Sequence, residues 1–164
     1  MEKTGQNSKG KIDRIYRINR IIAKNWKGTL MGNLADKEIT EKVIGCAFAV
    51  HKKLGPGFLE KVYENAMVLE LVKAGLQAKQ QVPINVYYDN VRIGEYFADL
   101  LVEDKILCEL KANMTLVPEH EVQLVNYLTA TGLNTGLLIN FGASVTVKRK
   151  FREYAGNSAA LLSK

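Results

Sequence analysis

The chain has 164 residues, 47% apolar and 24% charged, with two cysteines and a formal charge of +6. That length and composition fit one globular domain with a substantial core. No apolar run reaches the about 18 residues that cross a bilayer, no compact apolar leader precedes a small-residue cleavage site, and Cys46 and Cys108 lack metal-ligand spacing. A cytoplasmic protein with no membrane partner and two buried free thiols is the expectation.

The charge is unevenly placed. Residues 1–30 carry eight Lys/Arg against Glu2 and Asp13, whereas the remainder carries fifteen residues of each sign. The basic character therefore belongs to the first segment and gives the body no general affinity for nucleic acid. Residues 1–35 read as a flexible basic leader, although Arg14, Arg17 and Arg20 among Ile12, Ile15, Ile18 and Ile21 also fit a short amphipathic helix.

From Ile39 the apolar spacing turns helical. Ile39, Val43, Cys46, Val50 and Leu54 predict a helix over about 37–54, stopped by Gly55-Pro56-Gly57. A second helix is predicted over about 58–75, with Leu59, Val62, Ala66, Leu69 and Val72 as its buried stripe and Gly75 as its stop. Strands follow at 82–88, 91–102 and 106–111. They are joined by tight turns at Asp89-Asn90 and Glu103-Asp104-Lys105, giving an antiparallel meander. Pro118 opens a helix to about Thr131 whose inward residues are expected to be Val122, Val125 and Leu128. A strand over 135–141 returns parallel to the third strand through this helical crossover, and 145–151 adds an edge strand. One α/β domain over 36–155 is predicted, with a frayed tail over 156–164.

Asp99, Glu109 and Lys111 are polar residues inside apolar strands. Glu109 and Lys111 are two apart and share a face, and pairing of their strands brings Asp99 beside them. Burying two carboxylates and an ammonium needs a partner or a purpose. Two carboxylates suit a hard cation such as Mg²⁺, and a nearby lysine can orient water or stabilise an anion. The plain alternative is a structural ion pair.

Elsewhere, Glu60 and Tyr63 share one helix face, as do Gln123 and Tyr127. Tyr63 reads equally as a packing residue. His51 and His120 read as structural, and neither makes a zinc site with the cysteines. The run Lys148-Arg149-Lys150-Phe151-Arg152 is either a solvated face or a phosphate-holding border of a cleft.

The element order, with Asp on the second strand and Glu-x-Lys on the third, resembles the PD-(D/E)xK nuclease superfamily. Gly57-Phe58-Leu59-Glu60-Lys61-Val62-Tyr63 is similar to the signature of the GxxExxY protein family. So are Gln123-Leu124-Val125-Asn126-Tyr127-Leu128 and Gly136-Leu137-Leu138-Ile139-Asn140-Phe141-Gly142. The resemblance spans residues 38–152 and leaves out the basic leader.

It implies a restriction-endonuclease-like core and metal-dependent hydrolysis of DNA. Asp99, Glu109 and the Leu110 carbonyl would ligate Mg²⁺ or Mn²⁺, Glu60 would act through a bound water, and Lys111 would act at the water or the phosphate. Gln123 and Tyr127 resemble the Gln-x-x-x-Tyr motif of the RecB-like branch, which orients substrate or water. Ala98 stands where the superfamily name has proline. No phosphate-cradling glycine loop or helicase motif occurs, so any ATP-driven work would need a partner, and a protein partner for targeting is a further expectation for a small nuclease domain. The competing readings are a nucleic-acid-binding module without catalysis and a protein-interaction component.

Overall fold

The computed structural model of the protein describes residues 36–152. The leader and tail expectations lie outside them. The chain divides between Lys37 and Glu38, and the fold below is that of the second unit. Helix α1 spans 36–54. Gly55 ends it at φ 70°, a left-handed conformation that glycine adopts without strain, with its amide on the His51 carbonyl. Helix α2 follows at Glu60–Lys73, then strands β1 (Ala78–Tyr88), β2 (Val91–Val102) and β3 (Ile106–Lys111), helix α3 (Pro118–Thr131), and strands β4 (Thr135–Phe141) and β5 (Val145–Phe151).

The sheet order is β1-β2-β3-β4-β5. Only β3 and β4 run parallel, joined through α3, and every other neighbour is antiparallel. The predicted α/β core therefore holds: helical hairpin, three-stranded meander, crossover helix and a further parallel strand, closed by β5. Both hairpin turns carry positive φ at consecutive residues, Asp89-Asn90 and Glu103-Asp104, the geometry that matches the twist of the flanking strands. Strand β1 begins at Ala78, four residues earlier than the hydropathy suggests, because Ala78 and Lys79 find ladder partners in Val102 and Leu101. No helix among the described residues is long and apolar enough to cross a membrane.

The sheet separates two apolar layers. Val43, Ala47 and Val50 of α1 and Tyr63, Met67 and Leu71 of α2 pack on Val102, Ile106, Cys108, Leu137 and Ile139. Leu124, Tyr127 and Leu128 of α3 pack on Ile84, Ala98, Leu107 and Leu138. Both cysteines are buried free thiols.

Two predicted helix faces are corrected. In α2 the buried stripe is Tyr63, Met67 and Leu71, with Glu64 beside it, while Leu59, Leu69 and Val72 are exposed. The helix carries apolar side chains all round, so periodicity could not choose the face. Stacking of Tyr63 on Phe141, with ring centroids 4.4 Å apart and planes 5° apart, does. In α3 Leu124, Tyr127 and Leu128 point inward and Val122 faces out.

Tyr63 is a packing residue. Its hydroxyl donates to the Gly55 carbonyl at 2.7 Å and accepts from the Phe58 amide at 3.3 Å, tying α2 to the loop before it. Tyr63→Phe should lower unfolding free energy by about 1–2 kcal/mol by leaving those two groups without their partner, and Tyr63→Ala by about 3–5 kcal/mol. Urea denaturation followed by circular dichroism checks both values, and equal stability of the Phe variant and wild type would remove this role for the hydroxyl.

Candidate active site

Strands β2 and β3 pair only from Leu100 opposite Cys108 to Val102 opposite Ile106. Beyond that point the ladder stops, and a side chain takes over. Asp99 Oδ2 accepts the Leu110 amide at 2.7 Å. The alternation of β2 breaks at the same place: Leu100 packs in the α1–α2 layer, whereas Ala98, two residues away, packs in the α3 layer. Opposite Asp99, Gln81 has φ 50° and drops out of the β1–β2 ladder between Gln80 and Val82. A local twist thus presents Asp99 to β3, with Gln81 Nε2 donating to its Oδ1 at 3.4 Å.

Glu109 lies on the face of Leu107, which packs under α3. Only 3% of Glu109 is exposed, and its Oε1 is buried with no hydrogen-bond partner. Oε2 has Lys111 Nζ at 3.7 Å, and the lysine side chain is itself largely covered. Burial pushes the Glu109 carboxyl up to about 8; Asp99 and Glu60 push the same way, against Lys111 and the Asp99 main chain. Asp99 is raised too, chiefly by burial and further by Glu64 and Glu60, while the Leu110 amide and Lys111 oppose the rise. The cluster gathers more carboxyl groups than its one lysine can keep ionised.

Glu60 stands exposed in the first turn of α2, close enough to act on both carboxylates. From α3, Gln123 Nε2 donates to the Tyr127 hydroxyl at 2.7 Å. Burial raises the Tyr127 phenol, and Glu109 and Asp99 add to the rise, so the hydroxyl keeps its proton for donation. Glu60, Asp99, Glu109, Lys111, Gln123 and Tyr127 thus come together from two helices and two strands. Leu110 adds its amide, bound to Asp99.

Two residues of this neighbourhood escaped the sequence reading. Glu64 is buried, accepts from Lys61, Gln80 and Gln81, and acts electrostatically on Asp99. Its signal was its place one turn after Glu60. Gln81 links Glu64 to Asp99, and nothing in a polar Lys79-Gln80-Gln81 run distinguishes it.

His51 and the basic run are tied elsewhere. His51 Nε2 donates to the Gly142 carbonyl at 2.9 Å. His120 Nδ1 is buried without a partner. The basic run is divided by the pleat of β5: Lys148 and Lys150 pair with Glu121 of α3, while Arg149 donates to Thr40 of α1. Asn140 of β4 bonds both the amide and the carbonyl of Asn113, which holds the segment leaving Lys111.

The donor set fits a divalent cation that keeps most of its water. No three His, Cys, Asp or Glu side chains among the described residues form a ready metal cage. An unpartnered, buried carboxylate oxygen beside a second carboxylate is nonetheless a site short of positive charge, and Mg²⁺ is commonly held by one or two carboxylates with water filling the other positions.

A sequence model of the PD-(D/E)XK nuclease superfamily matches residues 37–153. The chain belongs to this superfamily. Among solved structures, this PD-(D/E)XK protein is similar to an alkaline exonuclease (LHK-Exo) from Laribacter hongkongensis, at 15% identity and TM-score 0.45. It is also similar to the protein SSO0001, at 15% identity and TM-score 0.46. Each match covers 57% of the present chain, and the chain spans 56% and 50% of those two proteins. No curated protein matches it.

Proposed function

We propose that this PD-(D/E)XK protein is a metal-dependent nuclease that hydrolyses phosphodiester bonds of DNA, of the GxxExxY type within the RecB-like branch. The observation that carries the reading is Glu109, whose buried and unpartnered Oε1 lies among more carboxyl groups than the neighbouring Lys111 can keep ionised. A structural ion pair would have satisfied that oxygen, and a module that only binds nucleic acid has no use for it.

Asp99 and Glu109 would hold Mg²⁺ or Mn²⁺, with the Leu110 carbonyl as a third oxygen and Glu60 bound through water. The ion would lower the pKa of a bound water and neutralise charge growing on the phosphate. Lys111, braced by Glu109, would orient the attacking water or stabilise the phosphorane oxygens. Gln123 fixes the Tyr127 hydroxyl, which would donate to a phosphate oxygen or to water. The Glu64–Gln81 pair would keep Asp99 in place.

The test is DNA cleavage by purified protein in Mg²⁺, Mn²⁺ and EDTA, alongside Lys111→Ala and Asp99→Asn. Cleavage should require metal and fall at least about a hundredfold in each variant. Equal rates for all three proteins would sink the assignment.

A further inference from the structure

We propose that the groove between the β1–β2 arm and α3 receives the unpaired bases of a nucleic-acid strand that continues into the carboxylate cluster, so that the preferred substrate is single-stranded or frayed. This rests on the nuclease reading and specifies its substrate.

The arm arises because β1 and β2 pair from Ala78 to Tyr88 with only Gln81 left out, whereas β3 accompanies β2 only from Leu100 to Val102. Residues 82–97 thus project as a two-stranded ribbon, a form with little stability of its own. Ile84 anchors its base on α3. Beyond Ile84 the ribbon and α3 enclose a cavity of about 970 Å³, at the upper end of the range that holds drug-sized ligands and roomy enough for more than one base.

The lining chemistry selects the occupant. Tyr87, Ile93 and Tyr96 from the ribbon and Val122 from α3 face the cavity, and all four are substantially exposed. Three carboxamides, Asn85, Gln123 and Asn126, supply donors and acceptors among them. No lysine or arginine lines the groove, and its one charged residue is Glu119. Such a surface repels phosphate and suits a flat, neutral ring with a hydrogen-bonding edge. Bases within a duplex present neither free faces nor free pairing edges, whereas unpaired bases stack readily on aromatic side chains.

Two backbone features shape the platform. The β1–β2 register slips between Val86 and Tyr87, which re-aims Tyr87. Gly94 has no side chain where a Cβ would lie 3.0 Å from the Tyr96 ring, so that ring can lie close over the strand.

The groove is continuous with the catalytic cluster. Gln123 and Tyr127 line both, and the Tyr96 and Tyr127 ring centroids are 5.7 Å apart. A base seated on Tyr96 therefore places its sugar–phosphate link beside the residues assigned to the phosphate. Arg92 of the ribbon donates to Asn85 at 3.3 Å and also pairs with Glu95.

Fluorescence anisotropy with a fluorescein-labelled mixed-sequence DNA 12-mer in Ca²⁺ tests this, using the strand alone and as a duplex. The full chain should bind the single strand at least tenfold tighter than the duplex. Tyr87→Ala and Val122→Glu, both at exposed positions, should each weaken single-strand binding by about tenfold or more and leave duplex binding and thermal unfolding unchanged. Equal affinity for the two forms, or single-strand binding indifferent to both variants, overturns the proposal. So does loss of a self-associated state in either variant with DNA binding intact, which would make the groove a protein interface. If Asp99-dependent cleavage survives such a result, the nuclease reading stands without this substrate. Variant-sensitive single-strand binding without any metal-dependent cleavage would support the groove and sink catalysis.

Discussion

Stripped of divalent metal, the protein should lose stability as pH rises from about 5 to about 8. Glu109 ionises near 4.5 when the chain is unfolded but holds its proton to about 8 when folded. The folded state therefore binds more protons across that window, and stability falls by up to about 1.4 kcal/mol per pH unit for one such group. Over the whole window the loss is a few kcal/mol, roughly 2–4. Asp99 is raised as well and adds to the same trend. Glu70 and Glu121 are lowered by Lys53, Lys73 and Lys150. They run the other way, but both are half-buried at the surface beside exposed lysines, and they lose their contribution only as pH falls through the low carboxylate range.

Urea midpoints measured in EDTA at pH 5 and pH 8 give the size of the drop. Glu109→Gln, which cannot ionise, should remove most of it and be more stable than wild type at pH 8. Adding Mg²⁺ or Mn²⁺ at pH 8 should restore wild type by mass action on the folded state and leave Glu109→Gln nearly unmoved. A flat wild-type profile would show that Glu109 has a compensating partner and would remove the argument for a cation.

Asp99→Asn and Asp99→Ala should separate two duties of one side chain. The Asn variant keeps an oxygen for the Leu110 amide but loses its charge. Cleavage should fall by about 10²–10³ with little change in folding, and the stability drop assigned to Glu109 should move to lower pH, because Asp99 is one of the charges that raise its carboxyl. With the repelling carboxylate removed, Glu109 ionises more easily. The Ala variant leaves the Leu110 amide unpaired as well, costing about 1–3 kcal/mol more. Cleavage kinetics beside denaturation curves read both effects. Equal stability of the two variants would deny the structural duty, and retained cleavage in the Asn variant would deny the chemical one.

The order and type of the elements were legible because the cues are local: Gly55-Pro56-Gly57, Asp89-Asn90, Pro118 and the alternating strands each act within a few residues. The inner face of α2 was not, since Leu59, Leu69 and Val72 are as apolar as the buried Met67 and Leu71. Its face is set by Tyr63 meeting Phe141, which lie 78 residues apart in sequence. Glu64 stayed hidden for the same reason, because burial of a helix glutamate is decided by the glutamines of another element. The residues singled out for chemistry could be named from their order along the chain. The break in β2 that turns Asp99 toward β3 coincides with the left-handed Gln81 on β1 and had no local sign.

That break bears on how the cluster would meet the proposed cation. Asp99 is fixed before any ion arrives, one oxygen held by the Leu110 amide and the other touched by Gln81. Its rotamers are already restricted by the fold, so little further ordering entropy would be lost on coordination. Preorganisation of this kind places the burden on the apo protein, which carries a crowded set of carboxylates in readiness.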